Sequence, residues 1–254
     1  MGFKCGIVGL PNVGKSTIFN AITNAGAESA NYPFCTIEPN VGMVNVPDYR
    51  LDKLVEAYHP RSIIPAVTQF VDIAGLVKGA SQGEGLGNQF LTHIRECEAI
   101  MEVVRCFEDE NIVHVHGSVD PLRDVEIIET ELLLKDLDSV EKRLVTETKN
   151  ARTGGASAKA RLEACENLKN AMSEGTPARK MLGTSDEMDS LISDLALLTA
   201  KPVFYCANVG EDEMLSGNAY VDKLREYAES NNSAVVVICG KIEEELSVQM
   251  RDFL

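Results

Sequence analysis

Five short apolar runs along the chain predict the strands of a buried sheet. Each run is rich in Val, Ile or Phe, and several end at Gly, Asp or Asn. Nearly continuous apolarity, rather than alternation, is typical of strands that are covered on both faces, as in a parallel sheet between helices. The runs occupy residues 3–9, 66–72, 100–107, 202–207 and 234–239.

Helical periodicity lies between these runs, at residues 15–25 and 86–99 for example. Alternation of strand and helix predicts an α/β fold with a doubly wound, mostly parallel sheet. Folds of this kind bind their ligands at the carboxyl ends of the strands. We therefore expect functional residues just after the apolar runs.

The alternation stops between residues 124 and 199, where only helical periodicity is present. A glycine-rich break at residues 152–158 separates the first two helical stretches. The third is predicted to begin with a capping box of Thr184 and Glu187 and to continue through Leu198. These patterns predict a helical hairpin or coiled-coil domain at 124–199, inserted into one α/β domain. The α/β domain is predicted to comprise residues 1–123 and 200–254.

Composition places the chain among ordinary globular proteins, with 254 residues, 44% of them hydrophobic and 25% charged. No apolar run is long enough to span a membrane, and the amino terminus has no signal-peptide pattern. The seven cysteines form no CxxC pair, so we expect free thiols in a reducing compartment and no zinc site. Together these features predict a cytoplasmic protein without a membrane partner.

The net charge of −15 opposes non-specific binding to nucleic acid. One segment differs, because residues 142–180 contain nine Lys and Arg against four Glu. This segment is either a solvated helical face or a local basic surface for an anionic partner such as RNA.

A phosphate-binding motif follows the first predicted strand and opens a helix, with the sequence GLPNVGKST at residues 9–17. Gly9, Gly14, Lys15 and Ser16 match the P-loop pattern in the strand–loop–helix context that supports it. Backbone N–H groups of such a loop surround phosphate oxygens, and the helix amino terminus favours anions. Lys15 is the predicted catalytic cation on the β- and γ-phosphates. The predicted nucleotide-binding residues here are Asn12, Val13, Gly14, Lys15, Ser16 and Thr17.

A magnesium site is predicted beside the P-loop. Asp72 ends a predicted strand in the position of a Walker-B acid, and the Ser16 hydroxyl is a typical Mg²⁺ ligand. Thr36 is the candidate for a further ligand. Gly75, three residues after Asp72, is predicted to bring its backbone N–H close to a γ-phosphate.

A base-binding corner is predicted where the sequence reads NVGE, at residues 208–211. The guanine-reading motif is Asn-Lys-x-Asp, whose Asp accepts hydrogen bonds from N1–H and the 2-amino group of guanine. Here Val209 and Glu211 replace the Lys and the Asp, so guanine selectivity should be weakened, while Asn208 can still bind a purine. Cys239, Gly240 and Lys241 follow the last strand and are predicted to form a backbone loop that closes over the base.

The motifs do not identify the residue that orients the attacking water. Many GTPases place Gln after the Asp-x-x-Gly motif, but this chain has Leu76. His114 is our candidate water-positioning residue, with His116 as the alternative, although a His in an apolar strand is more often structural. Asn12 is a candidate for holding K⁺ near the phosphates.

These motifs together resemble the YchF subfamily of Obg-related P-loop GTPases, from residue 1 to about residue 240. The resemblance implies a G domain with a helical insertion, Mg²⁺-dependent hydrolysis, a preference for ATP over GTP, and association with ribosomes. It also implies a C-terminal TGS domain of the β-grasp type, which the sequence ending at Leu254 does not include.

Three hypotheses therefore stay open at the level of sequence. The first is an ATP-preferring hydrolase that acts as a molecular switch. The second is a conventional GTPase with a degenerate base motif. The third is a nucleotide-dependent binding module without catalysis, whose helical insertion binds a ribosome or a protein.

Overall fold

The computed structural model describes residues 3–25, 41–73 and 93–252, which are built on a six-stranded sheet. The strands are β1 (Phe3–Val8), β2 (Val41–Asn45), β3 (Val67–Asp72), β4 (Ala99–Arg105), β5 (Val203–Asn208) and β6 (Val235–Ile238). Their order across the sheet is β2-β3-β1-β4-β5-β6. Neighbouring strands are parallel, except that β2 is antiparallel to β3. The predicted α/β fold with a mostly parallel sheet is confirmed.

Helices cover the sheet and form a separate layer beyond it. They are α1 (Lys15–Ala25), α2 (Tyr49–Tyr58), α3 (Pro121–Thr153), α4 (Ala156–Ser173), α5 (Asp186–Leu195), α6 (Ala219–Ser230) and α7 (Gly240–Asp252). Short 3₁₀ turns occur at Ala178–Lys180, Leu198–Ala200 and Glu211–Glu213.

The sheet carries two apolar clusters, and strand β4 is buried along its whole length. The cluster around β1 and β4 packs against α1 and the first half of α3. The cluster around β5 and β6 packs against α6. Central positions of the two clusters are Ile7, Val8, Ile18, Ile100, Val103, Tyr205, Ala207, Val221 and Leu224.

Helices α3 and α4 run antiparallel, as the spacing of their cross-helix ion pairs shows. Glu147 pairs with Arg161 near the turn between the helices, and Glu141 pairs with Lys169 further from it. A third apolar cluster, which includes Val140, Leu168 and Leu191, joins α3, α4 and α5. These helices therefore share a core that is distinct from the two clusters on the sheet.

Helix α3 is continuous from the sheet into this helical layer. Ile128 and Leu132 belong to the cluster on β1 and β4, whereas Val140 belongs to the cluster of α3, α4 and α5. The predicted boundary between residues 123 and 124 thus falls inside one helix that serves both cores. The division into 1–123 with 200–254 and 124–199 stays a prediction.

Local details of the third helical stretch differ from the prediction. The N-cap of α5 is Ser185, whose hydroxyl accepts a hydrogen bond from Met188 N at 3.1 Å. The hydroxyl of Thr184 instead donates to the carbonyl of Met181 at 2.8 Å, so the predicted capping box at Thr184 is wrong. The helix ends at Leu195, because Ala196 adopts the left-handed conformation with φ 46°.

Two elements escaped the sequence patterns, the edge strand β2 and helix α2. No residue of α2 is buried, so the apolar side chains of this helix do not pack into a core. Asp48 caps this helix by accepting a hydrogen bond from Arg50 N at 3.0 Å. The short β2 pairs only with β3 among the described strands.

The six described cysteines are free and buried. Burial raises the pKa of Cys106 and Cys206 to about 12, so these thiols are poor nucleophiles at neutral pH. Among the described residues, no helix has the length and apolarity needed to cross a bilayer.

Candidate nucleotide-binding site

The glycine-rich loop connects β1, which ends at Val8, to α1, which begins at Lys15. Asn12 adopts a left-handed conformation with φ 64°, and Gly14 has φ 90°. The loop borders a cleft of about 400 Å³. The residues lining the cleft are Leu10, Pro11, Asn12, Gly14, Lys15, Ser16 and Thr17.

Gly14 is required for two reasons. Its positive φ disfavours any residue with a side chain, and a Cβ atom there would lie 2.3 Å from Asn208 Nδ2. The loop and the end of β5 can approach this closely only because position 14 has no Cβ.

Asp72 joins the P-loop at the carboxyl end of β3, beside Ile7 of β1. Lys15 is 9% exposed, and its Nζ forms an ion pair with Asp72 Oδ1. Ser16 Oγ donates to Asp72 Oδ2 at 3.3 Å. The structure thus brings three predicted residues together, although 56 or 57 positions separate Asp72 from the other two.

The oxygens of Ser16 and Asp72 fit a hard divalent cation, which prefers hydroxyl, carboxylate and phosphate ligands. Among the described residues, no group of three or more His, Cys, Asp or Glu side chains could hold a metal ion. A cation at Asp72 would therefore depend on further oxygens, such as those of a nucleotide. Thr36, Gly75 and Leu76 lie outside the described residues.

Asn208, at the end of β5, connects the P-loop to the loop after β6. Its Nδ2 donates to the carbonyl of Val13 at 2.9 Å, and its Oδ1 accepts from Gly240 N at 3.0 Å. The side chain is buried. The Nδ2 can donate one more hydrogen bond, and the Oδ1 can accept one more.

Val209 and Cys239, two of the predicted nucleotide-binding residues, have buried side chains. Both side chains are 2% exposed and lie in the apolar cluster of β5, β6 and α6. In this geometry neither side chain offers an accessible surface to a base, so any contact with a base would be through the backbone, as the sequence predicts for the loop at Cys239. Val209 N donates to the carbonyl of Ile238 at 2.9 Å, which aligns the two loops.

Glu211 begins the 3₁₀ turn after β5 and is exposed. Its Oε1 lies 2.6 Å from Nζ of Lys241, in the first turn of α7. The hydrogen bond and the charge of Glu211 raise the pKa of Lys241. The sequence predicted only a backbone role for Cys239, Gly240 and Lys241, and the side chain of Lys241 was missed.

His114 uses both ring nitrogens within the protein. Its Nε2 lies 2.8 Å from Asp124 Oδ2, and its Nδ1 accepts from His116 N at 3.1 Å. Because Nδ1 accepts, the ring proton belongs on Nε2 and is donated to Asp124. Neither nitrogen is free to orient water in this arrangement, so the geometry favours an anchoring role for His114.

The loop that contains His114 contacts the P-loop directly. Asn12 Nδ2 donates to the carbonyl of Val113 at 3.0 Å. Arg105 is 2% exposed and stabilises this loop. Its guanidinium donates to the carbonyl of Phe107 at 3.0 Å and to that of Ile112 at 2.9 Å. Sequence reasoning missed Arg105, although a cation inside an apolar run was a visible signal.

This site and fold define a P-loop nucleoside-triphosphate-binding domain of the GTPase class. A family model described as "50S ribosome-binding GTPase" matches residues 4–144. The Bacillus subtilis (strain 168) protein named ribosome-binding ATPase YchF is 55% identical over 249 residues, covering 97% of this chain and 68% of the relative. The protein of the same name from Escherichia coli O157:H7 is 53% identical over 247 residues, with the same two shares. The chain belongs to the YchF family.

A solved structure agrees with this assignment. The Schizosaccharomyces pombe YchF GTPase superposes with a TM-score of 0.82 at 42% sequence identity. The match covers 97% of this chain and 68% of that one. The chain therefore spans about two thirds of the length of these relatives.

Replacing Gly14 with Ala should weaken nucleotide binding by roughly five- to 150-fold, since the strained conformation and the contact with Asn208 together cost about 1–3 kcal/mol. Calorimetric titration with ATP measures the effect. Gly175→Ala is the matched control, because Gly175 has φ 88° but no atom within 4 Å of an added Cβ. Equal ATP affinity in both variants would contradict the assigned role of Gly14.

Proposed function

We propose that this chain is a Mg²⁺-dependent hydrolase that prefers ATP to GTP and acts in the cytoplasm as a ribosome-associated molecular switch. The observation that carries the nucleotide preference is the base corner. It has a buried Val209 in place of the usual Lys, and a Glu211 carboxylate already paired with Lys241. The names of the bacterial relatives, ribosome-binding ATPase, support the same activity and partner.

The proposed preference for adenine over guanine follows from the hydrogen-bond donors that each base presents to Glu211. Guanine presents N1–H and a 2-amino group, both donors, whereas adenine lacks these donors. The Glu211 carboxylate already accepts from the Lys241 ammonium. It therefore forms weaker hydrogen bonds with guanine than the free Asp of an Asn-Lys-x-Asp motif does. Because Glu211 is exposed, water screens this difference, and the paired carboxylate weakens the guanine preference without forbidding guanine.

The phosphate end supplies the chemistry. Lys15 is placed to neutralise charge on the β- and γ-phosphates, and Ser16 and Asp72 would hold Mg²⁺. When bound, Mg²⁺ would stabilise the negative charge that develops on the transferred phosphoryl group. Lys15 would then exchange its ion pair with Asp72 for phosphate oxygens.

We also propose that K⁺ assists, held near Asn12. The Nδ2 of Asn12 donates to Val113, and its Oδ1 is the group of that side chain suited to a cation. A cation there would supply positive charge close to the phosphates, in a chain whose sequence has Leu76 where many GTPases have Gln.

The turn between α3 and α4 is our proposed ribosome contact, through ribosomal RNA. Residues 142–161 contain six Lys and Arg and a single acid, Glu147. Glu147 is buried and pairs with Arg143 and Arg161. Four further cations are exposed and, within the described part of the chain, take part in no ion pair: Lys142, Lys149, Arg152 and Lys159. Exposed unpaired cations suit phosphate groups.

Two other functions stay in competition. The Schizosaccharomyces pombe relative is named a GTPase, which favours a conventional GTPase with a degenerate base motif. The bonded state of both His114 nitrogens and the Leu at position 76 favour a nucleotide-dependent binding module without catalysis.

A comparative titration tests the central proposal. ATP should bind more tightly than GTP by calorimetry in the presence of Mg²⁺, and phosphate release should rise when K⁺ replaces Na⁺ and stop when EDTA removes Mg²⁺. Lys15→Ala serves as the hydrolysis-deficient control. Equal or reversed affinities would support the GTPase instead. Phosphate release at the level of Lys15→Ala would support the binding module.

His114 can position water only if its ring leaves Asp124. If it does so during turnover, His114→Ala should lower the rate of ATP hydrolysis by at least roughly tenfold without changing the affinity for ATP. The exposed His93, which precedes the amino end of β4, is the matched control, as His93→Ala should leave the rate unchanged. A variant that is thermally less stable but hydrolyses ATP at the normal rate would restrict His114 to anchoring its loop.

Charge reversal tests the ribosome contact. Lys149→Glu combined with Arg152→Glu should weaken co-sedimentation with ribosomes and reduce its salt dependence, since fewer phosphates are neutralised. Lys53→Glu combined with Lys223→Glu makes the same change in net charge at exposed positions elsewhere. Equal loss of binding in both double variants would indicate a general effect of charge and contradict the assigned surface.

A further inference from the structure

The pair formed by Glu211 and Lys241 bridges the two loops that surround the base corner. Glu211 lies in the 3₁₀ turn after β5, and Lys241 lies in the first turn of α7, after β6. Their side chains meet at 2.6 Å. A hydrogen bond from Gly240 N to Asn208 Oδ1 joins the same two loops. The backbone positions that carry the ion pair are therefore held relative to each other.

Glu211 is the acid of this turn that partners Lys241. The neighbouring Glu213 is committed elsewhere, because its Oε2 accepts from Gly210 N at 3.1 Å. Asp212 is exposed and forms no ion pair with Lys241 within the described residues. Glu211, which replaces the guanine-reading Asp, is therefore the acid that forms the ion pair with Lys241.

We propose that Lys241 is a specificity-determining residue, which disfavours guanine by masking the carboxylate of Glu211. This inference rests on the proposed function, in which Glu211 lies beside the base. Reading guanine takes both oxygens of a carboxylate, one for N1–H and one for the 2-amino group. Lys241 engages Oε1 and adds a positive charge next to these donors, so guanine must displace it, whereas adenine makes no such demand.

The size of the effect is limited by solvent. The side chains of Lys241 and Glu211 are 69% and 50% exposed, and water screens pairs of this kind. Displacing the lysine should therefore change the preference by roughly two- to fivefold. Lys241 acts as a modulator of base choice, while the replacement of Asp by the longer Glu211 contributes separately.

The experiment is a double-mutant cycle read as the ratio of the dissociation constants for GTP and ATP. The proteins are wild type, Lys241→Ala, Glu211→Gln and the double variant. Lys241→Ala should move the ratio toward GTP by roughly two- to fivefold. In the Glu211→Gln background the same lysine change should leave the ratio unaltered, because the carboxylate that the lysine masks is gone.

Lys223→Ala is the control for loss of one exposed positive charge, since Lys223 is exposed on α6 and, among the described residues, forms no ion pair with Glu211. An unchanged ratio in a folded Lys241→Ala protein would overturn the proposal. So would an equal shift in Lys223→Ala, or a shift of the same size with and without Glu211. The ratio is insensitive to a general loss of stability, which would weaken both nucleotides alike.

The outcome separates this inference from the proposed function. If wild type binds GTP as tightly as ATP, the proposed ATP preference fails, yet the response to Lys241→Ala still reports whether the lysine masks Glu211. If wild type prefers ATP and Lys241→Ala leaves the ratio unchanged, only the role of Lys241 fails.

Discussion

The buried amide of Asn208 is the interaction on which the nucleotide-binding end of the fold depends. One side chain ties the carbonyl of Val13 in the P-loop to the backbone N–H of Gly240 after β6. Buried polar groups are costly unless paired, so these two hydrogen bonds specify one relative position of the two loops. Gly14 permits this position, because any Cβ there would meet the amide. The P-loop and the proposed base corner are consequently held in one relative arrangement by Asn208.

A second set of contacts extends this corner to the loop after β4. Arg105 is a buried cation whose partners are backbone carbonyls and the ring of Phe107, 4.6 Å from the guanidinium carbon. Charge-assisted hydrogen bonds of this kind are strong in a buried setting. They hold the loop that presents the Val113 carbonyl to Asn12. A change at the end of β4 would therefore affect Asn12 of the P-loop through Val113, without contacting the P-loop itself.

The sequence predicted best where a local pattern and a local structure coincide. The five predicted strands and the P-loop depend on residues that are neighbours in the chain, and the structure has them within one or two positions. It predicted less well where two local solutions have similar energy, as in the choice of Ser185 over Thr184 for the cap of α5. Helix α2 was missed although Leu51, Leu54, Val55 and Tyr58 recur at the i, i+3, i+4, i+7 spacing of a helix. None of these side chains is buried, so the pattern marks an exposed helix and no part of the core.

The sequence by itself determined the class of fold, the presence of a phosphate-binding loop and the weakened guanine motif at Asn208–Glu211, since each is a matter of residue type and spacing. Only the tertiary structure decided which side chains meet. Strand order brings Asp72 to Lys15, and the adjacency of β5 and β6 brings Lys241 to Glu211. It also turns His114 inward to Asp124. Pairings between segments far apart in the chain depend on the packed arrangement of strands and helices, which no local pattern of residues encodes.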